Sequence, residues 1–129
     1  RHLEDWTNAR QNNAQLYTKK FSAAGLTPNL LVTPTIQPGR HIFNQYILRT
    51  QQRDALLVHL KEKGIGHAVY YPKPLHLQEC FASLGYREGQ LPNAEAAAKE
   101  TLALPVYPEL TEAQIEIVVG TIAAFFQGQ

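Results

Sequence analysis

The amino-acid sequence predicts an α+β fold, an α/β sandwich-like arrangement in which helices pack a small sheet of about three strands. Two observations are periodic: apolar residues recur at helical spacing in several stretches, and short β-branched runs lie between them. The third is length, because 129 residues suffice for one domain with a single modest core. We therefore treat residues 1–129 as a single domain.

Residues 1–24 are predicted to form the first helix, which Gly25 is placed to end. Its apolar residues recur at helical spacing: Leu3, Trp6, Ala14, Tyr17 and Phe21. Arg10 and Asn13 interrupt the same face. Such an incomplete stripe is typical either of an amphipathic surface helix or of a helix whose polar patch meets another domain or subunit.

Three segments are predicted to be strands. Residues 30–35 are apolar and β-branched, and a Pro-Gly turn at 37–40 leads to an alternating stretch at 41–50. In that stretch Tyr46 and Leu48 belong to the mostly apolar face. Residues 65–71 form a short third strand, which the following prolines close because they cannot donate to a ladder.

Four further helices follow from the pattern. Residues 51–63 carry a leucine stripe, 78–84 form a short helix, and 93–102 form an alanine-rich helix with Asn93 as its N-cap. The last helix begins at Thr111, whose spacing to a glutamine three residues later is that of a capping box. The order strand, helix, strand in the middle of the chain predicts a crossover connection.

Composition excludes several classes of protein. Twelve basic and eleven acidic residues give a net charge of +1, which provides no electrostatic footprint for nucleic acid or an anionic membrane. One cysteine excludes an intramolecular disulfide and a multi-cysteine zinc site. No apolar run is long enough to span a membrane, and the polar N-terminus is unlike a signal peptide, so we expect a soluble cytoplasmic protein. The chain contains no methionine, so we expect it to be processed, trimmed, or a piece of something longer.

Side chains that could carry chemistry are few. No two of the histidines have the spacing of a helical metal pair, so we predict no metal site; they are His2, His41, His59, His67 and His76. Two tyrosines, a lysine, a histidine and two prolines crowd residues 69–78, at the end of the third strand. This segment is either a ligand-binding loop or a proline-rich crossover with packed tyrosines, and composition alone favours the second.

A set of ordered motifs gives the chain a family resemblance. The motifs are HIFNQYILR at 41–49, RD at 53–54, GI at 64–65, YPKPLHLQ at 71–78, LG at 84–85, PNAE at 92–95 and LP at 104–105. Together with the first helix they resemble the C-terminal part of the DegT/DnrJ sugar aminotransferases. The resemblance covers essentially the whole chain.

The resemblance implies the small domain of an aspartate-aminotransferase-like fold, with helix 1–24 leading out of a missing large domain. Such enzymes use pyridoxal phosphate to move an amino group from glutamate or glutamine to a keto group on a nucleotide-linked sugar. Most are homodimers. The catalytic lysine and most cofactor contacts belong to the large domain, so we expect no catalytic or cofactor-binding residue here and no cofactor on this chain alone. Faces that would meet the large domain should be bare: Trp6, Tyr17 and Phe21, or Phe125 and Phe126.

Four residues are carried over as substrate-binding candidates. Tyr71 and His76 match the motif directly, Tyr70 stands where the family often has histidine, and His41 matches a segment near the cleft or is simply a strand-start residue. We expect Tyr71 and His76 to face one shared groove beside the end of strand 65–71, where both can hydrogen-bond a sugar or a diphosphate.

The sequence therefore predicts the C-terminal domain of a sugar-nucleotide aminotransferase, inactive by itself. The alternative is a free-standing binding or regulatory module derived from such a domain. An enzyme acting through Cys80 and His76 ranks last, because nothing in the sequence ties the two together. The sugar, the nucleotide and the pathway are not specified.

Overall fold

The computed structural model describes residues 2–36 and 39–128. Its helices are α1 (Leu3–Ala23), α2 (Arg53–Glu62), α3 (Pro92–Glu100) and α4 (Glu112–Gln127), and its strands are β1 (Tyr46–Arg49) and β2 (Thr101–Leu104). Two 3₁₀ helices, Leu75–Leu77 and Glu79–Leu84, occupy the predicted short helix and the residues before it. Of the predicted turn at 37–40, Gln37 and Pro38 lie outside the described residues, as does Arg1 at the start of the predicted first helix.

The sheet in the described part of the chain has two strands, so the prediction of about three is not confirmed. β1 and β2 pair antiparallel, with Tyr46 opposite Leu104 and Arg49 opposite Thr101. The other two predicted strands touch this pair at single residues, where Val32 bridges Arg49 and Ala68 bridges Ala103. The class α+β fits this arrangement.

Local hydrogen bonds explain why the two outer segments form no ladder. The N–H groups of Leu30 and Leu31 both donate to the Leu26 carbonyl in a turn, which leaves Val32 to pair with β1. Ile65 likewise donates to the Leu60 carbonyl at the end of α2, so only Ala68 reaches β2. Backbone groups already bonded within a turn are unavailable to a neighbouring strand.

β1 begins later than the alternation at 41–50 predicts. Phe43 has φ of 45°, in the left-handed region where a ladder cannot continue, and its N–H donates to Nδ1 of His41 at 3.0 Å. This turn places Phe43 in the core, while Asn44 is exposed. The regular alternation starts only at Tyr46.

β2 is a strand that the sequence pattern assigns to the end of a helix. α3 starts with Pro92 in its first turn and with Leu91, not Asn93, at the N-cap, and it stops at Glu100. Leu102 and Leu104 are then buried in the sheet. Because β2 is antiparallel both to β1 and to the Ala68 segment, that segment runs parallel to β1, and α2 connects the two as the predicted crossover.

The core lies where α1 and α4 pack together and α2 packs on α4, beside β1. Tyr17 and Phe21 of α1 are fully buried there, which corrects the expectation that they belong to a bare face; only Trp6 of that set is exposed. The reason is that the C-terminal half of the α1 stripe, which includes Tyr17 and Phe21, packs in the core with α4. Thr111 forms the predicted capping box with Gln114 at the start of α4.

Tyr17 and Tyr46 stack on each other in this core and differ in one hydrogen bond. Their ring centroids are 4.9 Å apart, and both side chains are fully buried. The Tyr46 hydroxyl lies 2.9 Å from Oγ1 of Thr18, whereas the buried Tyr17 hydroxyl has no hydrogen-bond partner among residues 2–36 and 39–128. Burial raises the pKa of both, that of Tyr46 to about 12.

This difference predicts opposite effects of the same substitution. Tyr17→Phe removes an unsatisfied buried hydroxyl and should raise the free energy of unfolding by up to about 1 kcal/mol. Tyr46→Phe removes a made hydrogen bond and should lower it by about 0.5–1.5 kcal/mol. Urea unfolding followed by circular dichroism measures both variants. Equal destabilisation by the two substitutions would contradict the assignment.

Candidate functional site

The segment after Ala68 leaves the sheet and presents two tyrosines at the surface. Tyr70 and Tyr71 are 46% and 70% exposed, and their rings meet edge to face with centroids 5.8 Å apart. Pro72 and Pro74 follow, and neither can donate to a strand. The 3₁₀ helix Leu75–Leu77 comes next, so the two tyrosines lie between the Ala68 bridge and this helix.

A cleft of about 300 Å³ lies beside Tyr70, where β2 ends. Its polar side chains are Asn44, Gln45, His67 and Tyr70, and its apolar wall is the end of β2 with residues 105–106. Amide, imidazole and phenol groups together supply both donors and acceptors. This mixture over an apolar wall suits a polyhydroxylated ligand.

The histidine of the cleft is held in one orientation. Nδ1 of His67 lies 2.9 Å from the Ile65 carbonyl, which can only accept. In the neutral imidazole Nδ1 therefore carries the proton, and Nε2 is left as an acceptor. His67 can thus accept a hydrogen bond from a hydroxyl group in the cleft.

His41 contacts Gln11 of α1 and the ring of Phe43. Its carbonyl accepts a hydrogen bond from the Gln11 side chain of α1, at 2.7 Å, and its ring packs against Phe43 with centroids 4.1 Å apart. The side chain is exposed. The residues that line the cleft include Asn44 and Gln45 but not His41.

His76 is turned inward, unlike the neighbouring tyrosines. It is 7% exposed, and Nε2 lies 3.1 Å from Oε1 of Glu95, which is 8% exposed. Its ring also meets Tyr86 edge to face. Because a carboxylate only accepts, Nε2 is the donor in this pair. The structure places His76 against Glu95 and leaves Tyr71 exposed. A groove shared by Tyr71 and His76 stays a prediction.

Glu95 is the most heavily bonded side chain near the site. Both its oxygens accept the Gly89 N–H at 2.9 Å, and Oε1 also accepts from the Leu91 N–H at 3.3 Å. The hydrogen bond from the Gly89 N–H is the main cause that lowers the pKa of the Glu95 carboxyl, and the hydrogen bond from His76 lowers it further. Burial raises this pKa, but the hydrogen bonds outweigh it. Glu95 thereby joins the turn at 75–77 to the loop at 85–91.

Four residues of this arrangement were not predicted from the sequence. Asn44, Gln45 and His67 form the polar part of the cleft, and Glu95 holds His76. A weak signal existed for Glu95, because an acid in the first turn of a helix commonly accepts N–H groups. Cys80 is exposed on the second 3₁₀ helix, while Nε2 of His76 is bonded to Glu95, so nothing here supports a thiol enzyme.

In residues 2–36 and 39–128, no group of three histidine, cysteine or acidic side chains is arranged to hold a metal ion. No helix in that part of the chain is long and apolar enough to cross a bilayer.

Comparison with known proteins gives consistent matches. The sequence model of the DegT/DnrJ/EryC1/StrS aminotransferase family matches residues 1–123. A pleiotropic regulatory protein of Geobacillus stearothermophilus is 53% identical over 127 residues, which is 98% of this chain and 34% of that protein. The dTDP-3-amino-3,4,6-trideoxy-α-D-glucose transaminase of Streptomyces venezuelae is 35% identical over 121 residues, 94% of this chain and 31% of that protein.

Among solved structures, that of S. venezuelae DesV in complex with a ketimine intermediate is similar, with a TM-score of 0.87 and 32% identity. The match covers 96% of this chain and 33% of DesV. The chain therefore spans about a third of the length of the relatives it matches.

The lowered pKa of Glu95 predicts an acid-sensitive fold around the site. A carboxyl with a lowered folded-state pKa contributes stability above its unfolded value of 4.5, and that contribution is lost as pH falls through the folded-state pKa. Glu95→Gln should be less stable than the parent at pH 7 and should lose less stability as the pH falls below 4.5. Urea unfolding at a series of pH values measures this.

Glu109→Gln is the matched control, because Glu109 is exposed and the charge change is the same. It should leave both the stability at pH 7 and its pH dependence close to those of the parent. If Glu95→Gln and Glu109→Gln follow the same curve, the Glu95 bonds do not stabilise the fold.

Proposed function

This chain belongs to the DegT/DnrJ/EryC1/StrS aminotransferase family, and from that membership we propose that it is the C-terminal domain of an enzyme acting on a nucleotide-linked keto sugar. Glutamate or glutamine is the proposed amino donor, and a homodimer is the proposed assembly. The observation that carries the proposal is the match of residues 1–123 to the family model. A relative named as a transaminase of a dTDP-linked amino sugar supports the substrate class.

The cleft beside Tyr70 supports this substrate class on chemical grounds. A sugar presents hydroxyl groups around a partly apolar ring, and the cleft offers Asn44, Gln45 and His67 next to an apolar wall. We assign Tyr70 and Tyr71 to contact with the sugar nucleotide, because both are exposed and Tyr70 lines the cleft. His41 is assigned to the rim. His76 supports the site from within, through Glu95.

The residues described do not by themselves fit pyridoxal phosphate, the cofactor on which the family depends. A lysine that forms a Schiff base needs a lowered pKa. Hydrogen bonds to Glu116 and Glu112 instead raise the pKa of Lys20, and the remaining lysines are exposed: Lys19, Lys61, Lys63, Lys73 and Lys99. The cofactor and its chemistry are therefore assigned to another part of the enzyme.

A regulatory or binding module remains the alternative. One observation favours it: the relative with 53% identity is named a pleiotropic regulatory protein. That match also covers about a third of the relative, so it is equally consistent with a domain of a longer enzyme. The catalytic competence of the full-length polypeptide separates the two.

The full-length polypeptide should convert nucleotide-linked keto sugars to amino sugars, with 2-oxoglutarate formed from glutamate. A panel of dTDP- and UDP-linked keto sugars, followed by chromatography and mass spectrometry, measures this. Residues 1–129 alone should form no product and no borohydride-trapped adduct with pyridoxal phosphate. A stoichiometric adduct at one lysine of the short chain, or a full-length protein inactive on every sugar of the panel, would contradict the proposal.

Tyr70→Phe and Tyr71→Phe in the full-length polypeptide should each raise KM for the sugar nucleotide about three- to tenfold. The reason is the loss of one hydrogen bond, worth about 0.5–1.5 kcal/mol. Cofactor affinity should not change. Tyr107→Phe, at a tyrosine 41% exposed and outside the cleft, is the control and should leave KM unchanged. An unchanged KM in all three variants would remove the tyrosines from the site.

A further inference from the structure

Polar side chains interrupt the apolar stripe of α1, and two of them bind the loop that precedes β1. Nε of Arg10 donates to the Ile42 carbonyl at 3.0 Å. Nε2 of Gln11 donates to the His41 carbonyl at 2.7 Å. The acceptors lie 32 and 30 positions further along the chain, so these bonds join α1 to a distant segment.

A third side chain of the same helix binds a different loop. Nδ2 of Asn13 donates to the Tyr107 carbonyl at 2.9 Å, across 94 positions of sequence. Only the backbone of Tyr107 takes part in this bond. We call the three donors the α1 clamp; they are Arg10, Gln11 and Asn13. About one turn of helix thus binds two loops that are far apart in sequence.

Both loops lead directly into the cleft described above. Asn44 and Gln45 follow the first loop and line the cleft. Pro105 and Val106 come just before the carbonyl that Asn13 binds, and they line the cleft as well. The clamp therefore acts on two of the segments that form the cleft, although its own side chains are not part of the lining.

The β1–β2 ladder ends before these segments, at the pair of Tyr46 and Leu104. Pro105 has no N–H with which to extend the ladder, and Phe43, with φ of 45°, leaves the extended conformation. Backbone carbonyls beyond the end of a ladder need other donors. The side chains of the clamp supply them.

We propose that the α1 clamp positions the cleft for its ligand, by fixing the segments at 41–45 and 105–107 relative to each other. Asn44 and Gln45 then keep their amides in place for the hydroxyl groups of a sugar. Arg10, Gln11 and Asn13 are positioning residues in this proposal, because they act through backbone carbonyls. The proposal rests on the proposed function in taking the cleft as the place where the sugar nucleotide binds.

The three bonds are exposed, which separates positioning from general support of the fold. Substitutions at exposed positions change the free energy of unfolding little. Loss of a clamp bond should therefore loosen the loop that it holds and leave the helices and the ladder as they are.

Asn13→Asp in the full-length polypeptide tests this, because a carboxylate has the shape of the amide but no N–H to donate. Asn12→Asp is the matched control, since Asn12 is the neighbouring exposed residue of α1 and the charge change is the same. Hydrogen–deuterium exchange, followed by mass spectrometry, should become about fivefold faster at residues 105–110 in Asn13→Asp alone. Equal exchange in the two variants, or exchange that is also faster in β1 and α4, would overturn the proposal.

Steady-state kinetics of the same two variants measure the effect on the ligand. With a sugar nucleotide that the full-length polypeptide converts, Asn13→Asp should raise KM about three- to tenfold and keep kcat within about twofold. Asn12→Asp should change neither value. Equal KM values, or a loss of kcat without a change in KM, would reduce the clamp to a support of the fold and overturn the proposal.

The two measurements keep this proposal distinct from the proposed function. If no nucleotide-linked sugar is converted, the proposed function fails, and hydrogen exchange alone decides whether the clamp holds the cleft. If Asn13→Asp does not fold, Asn13→Ala with Asn12→Ala as its control repeats both measurements, because alanine removes the donor without adding a charge.

Discussion

The four-residue pairing of β1 with β2 is the constraint on which the other elements depend. Each outer segment attaches to this pair at one residue, Val32 on β1 and Ala68 on β2. The helices flanking the pair are also tied to it. The Arg53 guanidinium at the start of α2 donates to the Thr101 carbonyl at 3.0 Å, and the Thr50 N–H donates to the Glu100 carbonyl at 2.9 Å. Without this short ladder, the residues that line the cleft and the crossover through α2 would no longer be held together.

The parts of the fold that follow from local chemistry could be predicted from the sequence. The capping box at Thr111 and the helical stripe of α1 need only residues within a few positions of each other. β2 could not be predicted this way, because TLAL follows an alanine-rich helix directly and carries no turn signal. Its strand conformation comes from pairing with β1, more than fifty residues earlier in the chain.

The candidate site likewise has parts that local sequence predicts and parts that it does not. Tyr70 and Tyr71 stand out because they crowd a proline-rich segment, and that signal is local. Asn44 meets Tyr70 in the cleft only because β2 lies between their two segments in the sheet. Glu95 is 19 positions from His76, so no local pattern in the sequence indicates that they pair. In the folded chain both side chains are buried and hydrogen-bonded to each other. In this arrangement Glu95 holds the His76 ring, and contact of His76 with a substrate stays a prediction.

The separation of β1 from β2 along the chain also bears on synthesis at the ribosome. Tyr46 and Leu48 emerge long before Leu102 and Leu104, yet they are fully buried only once β2 and α4 have formed. Pairings between distant residues form late, and their partners stay uncovered in the meantime. During translation the apolar face of β1 is thus exposed until the final quarter of this sequence has left the exit tunnel.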